Sequence, residues 1–185
     1  MSGLETLPWS ARLSTEFQRR PARGSHLAGK RVTLRHVRAD EEPFLYEVFA
    51  STRTEEMALT GWTTAQQDAF LRMQFRAQQI HYQAKFPDAE HSIILLDDRA
   101  IGRLFICRNS LAIDLVDISL LPENRASGIG TGLIEGLLAE ARKAGKPVRL
   151  YVFKFNRAIR LYQRLGFKKI GETATHIQME APPNS

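Results

Sequence analysis

The residues best suited to chemistry lie between Asp114 and Gly132. An apolar stretch ending Val116-Asp117-Ile118-Ser119-Leu120-Leu121-Pro122 gives way to Glu123-Asn124-Arg125-Ala126-Ser127, then to Gly128-Ile129-Gly130-Thr131-Gly132. A strand that passes through a turn into a helix gathers unpaired backbone N–H groups at the positive end of the helix dipole, which is a seat for phosphate. No proline interrupts Glu123 to Glu135, so every amide there can donate. Glycines at 128, 130 and 132 permit positive φ and close approach of a ligand to the main chain. The same spacing also fits a turn that is simply glycine-rich. Just upstream, Asp114 and Asp117 can serve as a base acting through a water, or as structural partners of basic neighbours.

Two common phosphate-binding signatures are missing. A dinucleotide fingerprint needs G-x-G-x-x-G and an acid about 20 residues on. Here Leu133 stands at the third glycine, and the strand expected over Val148–Phe155 carries no acid. There is no G-x-x-x-x-G-K-[ST], which excludes a P-loop nucleotidase.

The elements around this stretch follow from periodicity and punctuation. Val32 to Arg35 alternates as a first strand. Ala39-Asp40-Glu41-Glu42-Pro43 starts a short helix with Phe44, Leu45, Val48 and Phe49 inward. A longer helix, capped at Thr63 or Thr64, is predicted to about Ala84. Its stripe is Phe70, Met73, Ala77, Ile80 and Ala84, widened by Leu71, Phe75 and Tyr82, all read as core. His91–Leu96 and Ala100–Cys107 read as a hairpin about Asp97-Asp98-Arg99. The next strand, about Ala112–Leu120, changes phase between Leu115 and Val116. Apolar side chains fall at 113 and 115, then at 116, 118 and 120, and Asp114, Asp117 and Ser119 shift with them. A strand buried on both faces also allows adjacent apolar residues. The joint shift favours a β-bulge, which puts Asp114 and Asp117 on one face and frees backbone groups for a ligand. A helix over Gly128–Ala144 ends at Gly145, a strand covers Val148–Phe155, a short helix Asn156–Leu165, and Phe167–Ile170 with Thr175–Met179 form a last hairpin. The fold class predicted is mixed α/β: one domain with a central mixed, twisted sheet and helices on both faces.

Two segments carry a family resemblance. Arg125-Ala126-Ser127-Gly128-Ile129-Gly130 resembles the R/Q-x-x-G-x-G/A loop of the GNAT superfamily of N-acetyltransferases. Asn156-Arg157-Ala158-Ile159-Arg160-Leu161-Tyr162-Gln163-Arg164-Leu165-Gly166-Phe167 is similar to that family's N-x-x-A…LYxxLGF signature. They come in the family's order, separated by one helix and one strand. The resemblance is sharp from Asp114 to Glu172, looser back to Val32, and leaves out residues 1–28. It implies an acetyl-CoA-dependent N-acetyltransferase domain over residues 29–185, with the cofactor in a V-shaped gap between the strands ending at Leu120 and at Phe155. Backbone groups of Ile118 and Leu120 would hold the pantetheine arm, with Asn156. The amides of Gly128, Ile129, Gly130 and Thr131 would hold the pyrophosphate, and Arg125 would neutralise it. Tyr162 would donate to the leaving thiolate; its other reading is a core tyrosine. At neutral pH only about a thousandth of an alkyl ammonium is free amine, so a base or a desolvating site is needed. Asp117, nearer the gap, is preferred to Asp114 as that base. Glu55, Glu56 and Trp62, between the first two helices, would line the acceptor site.

Composition bounds the remaining alternatives. The chain has 185 residues, 43% hydrophobic and 25% charged, as in a soluble globular domain. No apolar run suits a bilayer span, and the N-terminus lacks a secretory core. Cys107 is the sole cysteine, which excludes an internal disulfide and suits the cytoplasm. A net charge of +6 suits a polyanion, either a nucleotide cofactor or a nucleic acid. Residues 1–28, with Arg12, Arg19, Arg20 and Arg23, read as an N-terminal extension, loosely docked or disordered, or as a basic arm for nucleic acid. His36, His81, His91 and His176 are scattered without metal-ligand spacing, and no metal is expected. The acceptor stays open: a small molecule, a protein lysine or N-terminus, or an aminoacylated RNA. So does the assembly, monomer or homodimer, and the length of the acyl group. Two other classes compete with the enzyme. One is an inactive acyl-CoA-binding regulatory module. The other is a nucleic-acid-binding protein, for which interleaved aromatics and a recognition helix were not found.

Overall fold

A computed structural model describes residues 29–183. Seven strands, β1 (Val32–His36), β2 (Glu90–Leu96), β3 (Arg99–Arg108), β4 (Ile113–Leu120), β5 (Val148–Phe153), β6 (Lys168–Glu172) and β7 (His176–Ala181), form one sheet in the order β1-β2-β3-β4-β5-β7-β6. Five helices accompany them: α1 (Glu42–Ser51), α2 (Thr54–Ala58), α3 (Thr64–Lys85), α4 (Ile129–Ala144) and α5 (Ile159–Arg164). Only β4 and β5 pair in parallel, and α4 makes the crossover that a parallel pair requires.

Local chemistry sets the boundaries. Thr63 opens α3 with a capping box, its hydroxyl accepting from the Gln66 amide while Gln66 Oε1 accepts from the Thr63 amide at 2.9 Å. Gly145, at φ 65°, closes α4 in the left-handed conformation. Asp97 and Asp98, both at positive φ, turn the β2–β3 hairpin. The expected helix over Asn156–Leu165 is shorter, because Asn156 Oδ1 accepts the Ala158 amide at 2.8 Å and closes a turn ahead of α5.

The sheet is covered on two sides. On one, Ile129, Leu133, Ile134 and Leu137 of α4 join Leu104, Ile106, Ile113, Leu115, Val148 and Leu150. On the other, Leu45, Phe49, Met57, Leu71 and Phe75 gather with Ile93. The stripe expected on α3 is corrected here. Leu71 and Phe75 are buried, whereas Met73 and Ile80 are 60% and 68% exposed. Both rows have helical spacing, and the row that continues to Gln78 and Tyr82 is the one that meets β3.

The phase change marks a real bulge. Phe105 pairs with Asp117 and Ile106 with Leu115, so Val116 is the extra residue. Asp114 pairs with Cys107, and Cys107 and Phe105 are two apart, which puts both acids on one face. Pairing between β4 and β5 covers only Ile113–Leu115 with Val148–Leu150. Beyond it each strand continues without the other, and a gap opens at the bulge. The expectations for residues 1–28 lie outside the described residues.

Candidate active site

The pleat decides which backbone groups face the gap. The Leu121 amide donates to the Ile101 carbonyl at 2.9 Å. Alternation therefore turns Ser119 towards β3 and leaves the amides and carbonyls of Ile118 and Leu120 on the gap side. After Pro122–Asn124 the chain makes two left-handed steps, at Ala126 (φ 56°) and Gly128 (φ 88°). An alanine in that region costs about 1 kcal/mol, a strain tolerated where main-chain direction matters. Gly128 caps α4 with no side chain to offer. The first bond closing the helix runs from the Gly132 amide to the Gly128 carbonyl, 3.0 Å. The amides of Gly128, Ile129, Gly130 and Thr131 thus find neither a side-chain cap nor a main-chain acceptor among the described residues. A Cβ on Gly130 would meet nothing within 4 Å. Open space over four free donors fits a pyrophosphate.

Arg125 is engaged elsewhere. Its Nε donates to the Leu120 carbonyl at 2.8 Å, and its Nη2 donates to Ser51 Oγ at 3.0 Å and the Ser51 carbonyl at 3.1 Å. It braces the end of α1 against the loop, instead of being left free for phosphate as expected. Asn156 Oδ1 is likewise taken by the Ala158 amide, leaving the side-chain NH2 to donate.

Tyr162 is 8% exposed and meets Phe167 edge-on, with ring centroids 5.6 Å apart. Burial first, and the charge of Asp117 second, push its hydroxyl up to about 12. It packs in the α4-side core, while Asp117 occupies the other face, close enough for its charge to be felt.

Asp117 is not a lone carboxylate. It forms an ion pair with Arg103, which is 3% exposed, and its Oδ1 accepts from Ser119 Oγ at 2.9 Å. Arg103 Nη2 also donates to Gln78 Oε1 at 2.7 Å. This is the structural pairing, and a base role would require breaking it. Arg103 Nε has no hydrogen-bond partner among the described residues, so the pair retains a donor. Asp114 accepts from Asn109 Nδ2 at 2.8 Å, and burial raises its pKa. It lies opposite Arg149, where β4 and β5 are still paired.

Three further residues surround this centre. Tyr82 stacks on Phe105 at 5.3 Å, and burial drives its hydroxyl pKa well up. His91 meets Phe105 edge-on at 4.8 Å; burial, then the charge of Arg103, lowers it to about 4, so it is neutral near pH 7. Arg53 lies 3.6 Å over the Phe49 ring and donates to the Phe49 carbonyl and Thr52 Oγ1. With Arg103 these make a polar floor that sequence reasoning missed. An arginine inside the apolar run Ala100–Cys107 was the available signal, since it demands a buried acid. Glu56 is exposed on α2 and acts electrostatically on Arg53. Trp62 is 42% exposed and edge-on to Phe70 at 5.1 Å, so the structure groups it with the start of α3. Among the described residues no His, Cys, Asp or Glu side chains group as metal ligands, and no helix is long and apolar enough to cross a membrane.

Residues 87–169 match the family model of the acetyltransferase (GNAT) domain. The segment that carries the gap and the glycine loop is thus a GNAT acetyltransferase domain. Solved structures agree on the fold of the chain. A PaiA N-acetyltransferase from Thermoplasma acidophilum, in complex with coenzyme A, superposes with a TM-score of 0.62 at 19% identity, over 82% of this chain and 98% of its own. An acetyltransferase from Thermus thermophilus gives 0.58 at 18%, over 82% and 96%. The ribosomal-protein-S18-alanine N-acetyltransferase of Escherichia coli gives 0.55 at 19%, over 82% and 93%. The GNAT domain makes this chain an acyltransferase, and its gap and free amides occupy the segment that the family match spans.

Proposed function

We infer that the protein is an acetyl-CoA-dependent N-acetyltransferase that passes the acetyl group directly to a primary amine. One observation carries this: the strand gap opened at Val116 lies at the end of a loop that delivers four unpartnered amides, Gly128 to Thr131. Bound acetyl-CoA supplies the acyl thioester. The four amides hold its pyrophosphate, the gap-facing backbone of Ile118 and the Leu120 amide align the pantetheine, and the Asn156 NH2 donates to it. The Tyr162 hydroxyl, held protonated, donates to the sulfur as it leaves. With Asp117 committed to Arg103, deprotonation of the amine depends on the setting. The guanidinium charge of Arg53 disfavours an ammonium beside it and lowers its pKa. The coenzyme A complex of one fold neighbour supports the choice of donor.

Calorimetry with acetyl-CoA, followed by thiol release across a panel of primary amines, tests this. Saturable binding and amine-dependent release are expected. Binding without release from any amine would make the protein an acyl-CoA-binding module, and no binding would remove the whole reading.

A further inference from the structure

The acceptor has to meet the thioester on the face of the sheet away from α4. Ile113 and Leu115 pair with Val148 and Leu150, and all four side chains join the core beneath α4. The residues between them alternate to the opposite face, so Arg149, Tyr151 and Phe153 of β5 share the face of Asp114 and Asp117. The free amides sit at the start of α4. A ligand anchored there threads the gap from the α4 side, and its reactive end emerges beside Asp117 and Ser119 on one edge and Tyr151 and Phe153 on the other. Both aromatics lie past Leu150, where β5 has parted from β4.

This second edge is unusual for a protein surface. Tyr151 is 48% exposed, Phe153 51%, and Phe155 just beyond them 94%. Exposed large apolar groups in a row mark a contact surface more often than isolated ones do. Phe153 is fixed by His176 on β7, which meets it edge-on at 4.5 Å, and Tyr151 has Lys85 Nζ 5.1 Å from its ring centre. Charge on this face is largely matched within the protein: Arg103 with Asp117, and Arg149 Nε with Glu180 Oε2 at 2.7 Å. A phosphate backbone would need bare cations along the whole row, where Lys85 at Tyr151 is a single one, whereas an uncharged ring needs only the exposed π-faces.

We propose that Tyr151 and Phe153 form a stacking platform for the acceptor, and that the acceptor is a primary amine that carries an aromatic ring. The assignment rests on the acetyl-transfer reading above, because that reading makes this face the acceptor side.

The test is calorimetric titration of phenethylamine and of n-butylamine into the full-length protein saturated with coenzyme A, with thiol release from acetyl-CoA measured on the same samples. Phenethylamine binds about tenfold tighter, the size expected when stacking adds to ring burial. Phe153→Ala and, independently, Tyr151→Ala erase most of that ratio, and Phe153→Tyr keeps it. Both side chains are exposed, so the variants fold, and their coenzyme A affinity checks this. Equal affinity for the two amines overturns the platform. So does tight binding of single-stranded oligo(U) that Phe153→Ala weakens without any discrimination between amines, or a dimer that Phe153→Ala dissociates. Aryl-selective binding without thiol release leaves the platform standing and removes the transferase. Thiol release with no preference between the amines does the reverse.

Discussion

A phenol can protonate a leaving thiolate only while it keeps its own proton, and burial secures this for Tyr162. Replacing Tyr162 with Phe removes the donor and little else, because the ring still packs on Phe167. The expected result is a kcat about 100-fold lower, with acetyl-CoA affinity within about twofold of wild type; steady-state thiol release and calorimetry measure the two. Asp117 leads to a different expectation. Removing one member of a buried ion pair strands the other, so Asp117→Ala should cost about 3 kcal/mol in urea unfolding by leaving Arg103 uncompensated. The double change Arg103→Met with Asp117→Leu should recover most of that loss. If Asp117→Ala retains wild-type stability, the pair is not what holds this face together.

At the scale of elements, the site depends on a single inserted residue. Deleting Val116 would restore strict alternation through Leu115, Asp117, Ile118, Ser119 and Leu120 while keeping each side chain on its present face. It would also let β4 run on beside β5 and close the gap. The expected variant melts at or above the wild-type temperature and binds acetyl-CoA at least about tenfold more weakly. Thermal denaturation with calorimetry decides this, and undiminished binding would show that the gap does not depend on the bulge. The brace from Arg125 to Ser51 ties the same region to α1, so the loop before α4 and the end of α1 are held as one unit.

At the scale of the molecule, the polar floor makes stability depend on pH. His91 titrates at about 4 when folded, against an ordinary value of 6.5, because burial and then Arg103 disfavour its charged form. Between these values the unfolded chain binds more protons, so stability rises with pH and is lost as pH falls from about 6.5 towards 4. Urea unfolding at pH 7 and pH 4.5 should show wild type losing on the order of 2 kcal/mol more than His91→Phe; parallel losses would remove His91 from the account. How much of this was legible beforehand depends on whether a signal is local. The bulge, the capped helices and the glycine-marked turn into α4 could be read directly, because phase, caps and punctuation act within a few residues. So could the two family motifs, each a short run with its own spacing. The buried row of α3 could not be chosen, since two rows on that helix had equal periodicity and only the sheet decided which faced inward. Nor could the Arg103–Asp117–Gln78 network, whose members come from β3, β4 and α3 and meet only when the layers pack. Asp117 and Arg125 have the right types and positions for chemistry, yet neighbours engage both: the buried charge of Arg103 takes Asp117, and the oxygens of Leu120 and Ser51 take the exposed Arg125. The sequence by itself determined where the chain could seat an anion. The packed structure alone decided which side chains remained free to use it, and which face of the sheet left Tyr151 and Phe153 exposed, because those outcomes depend on how the layers pack.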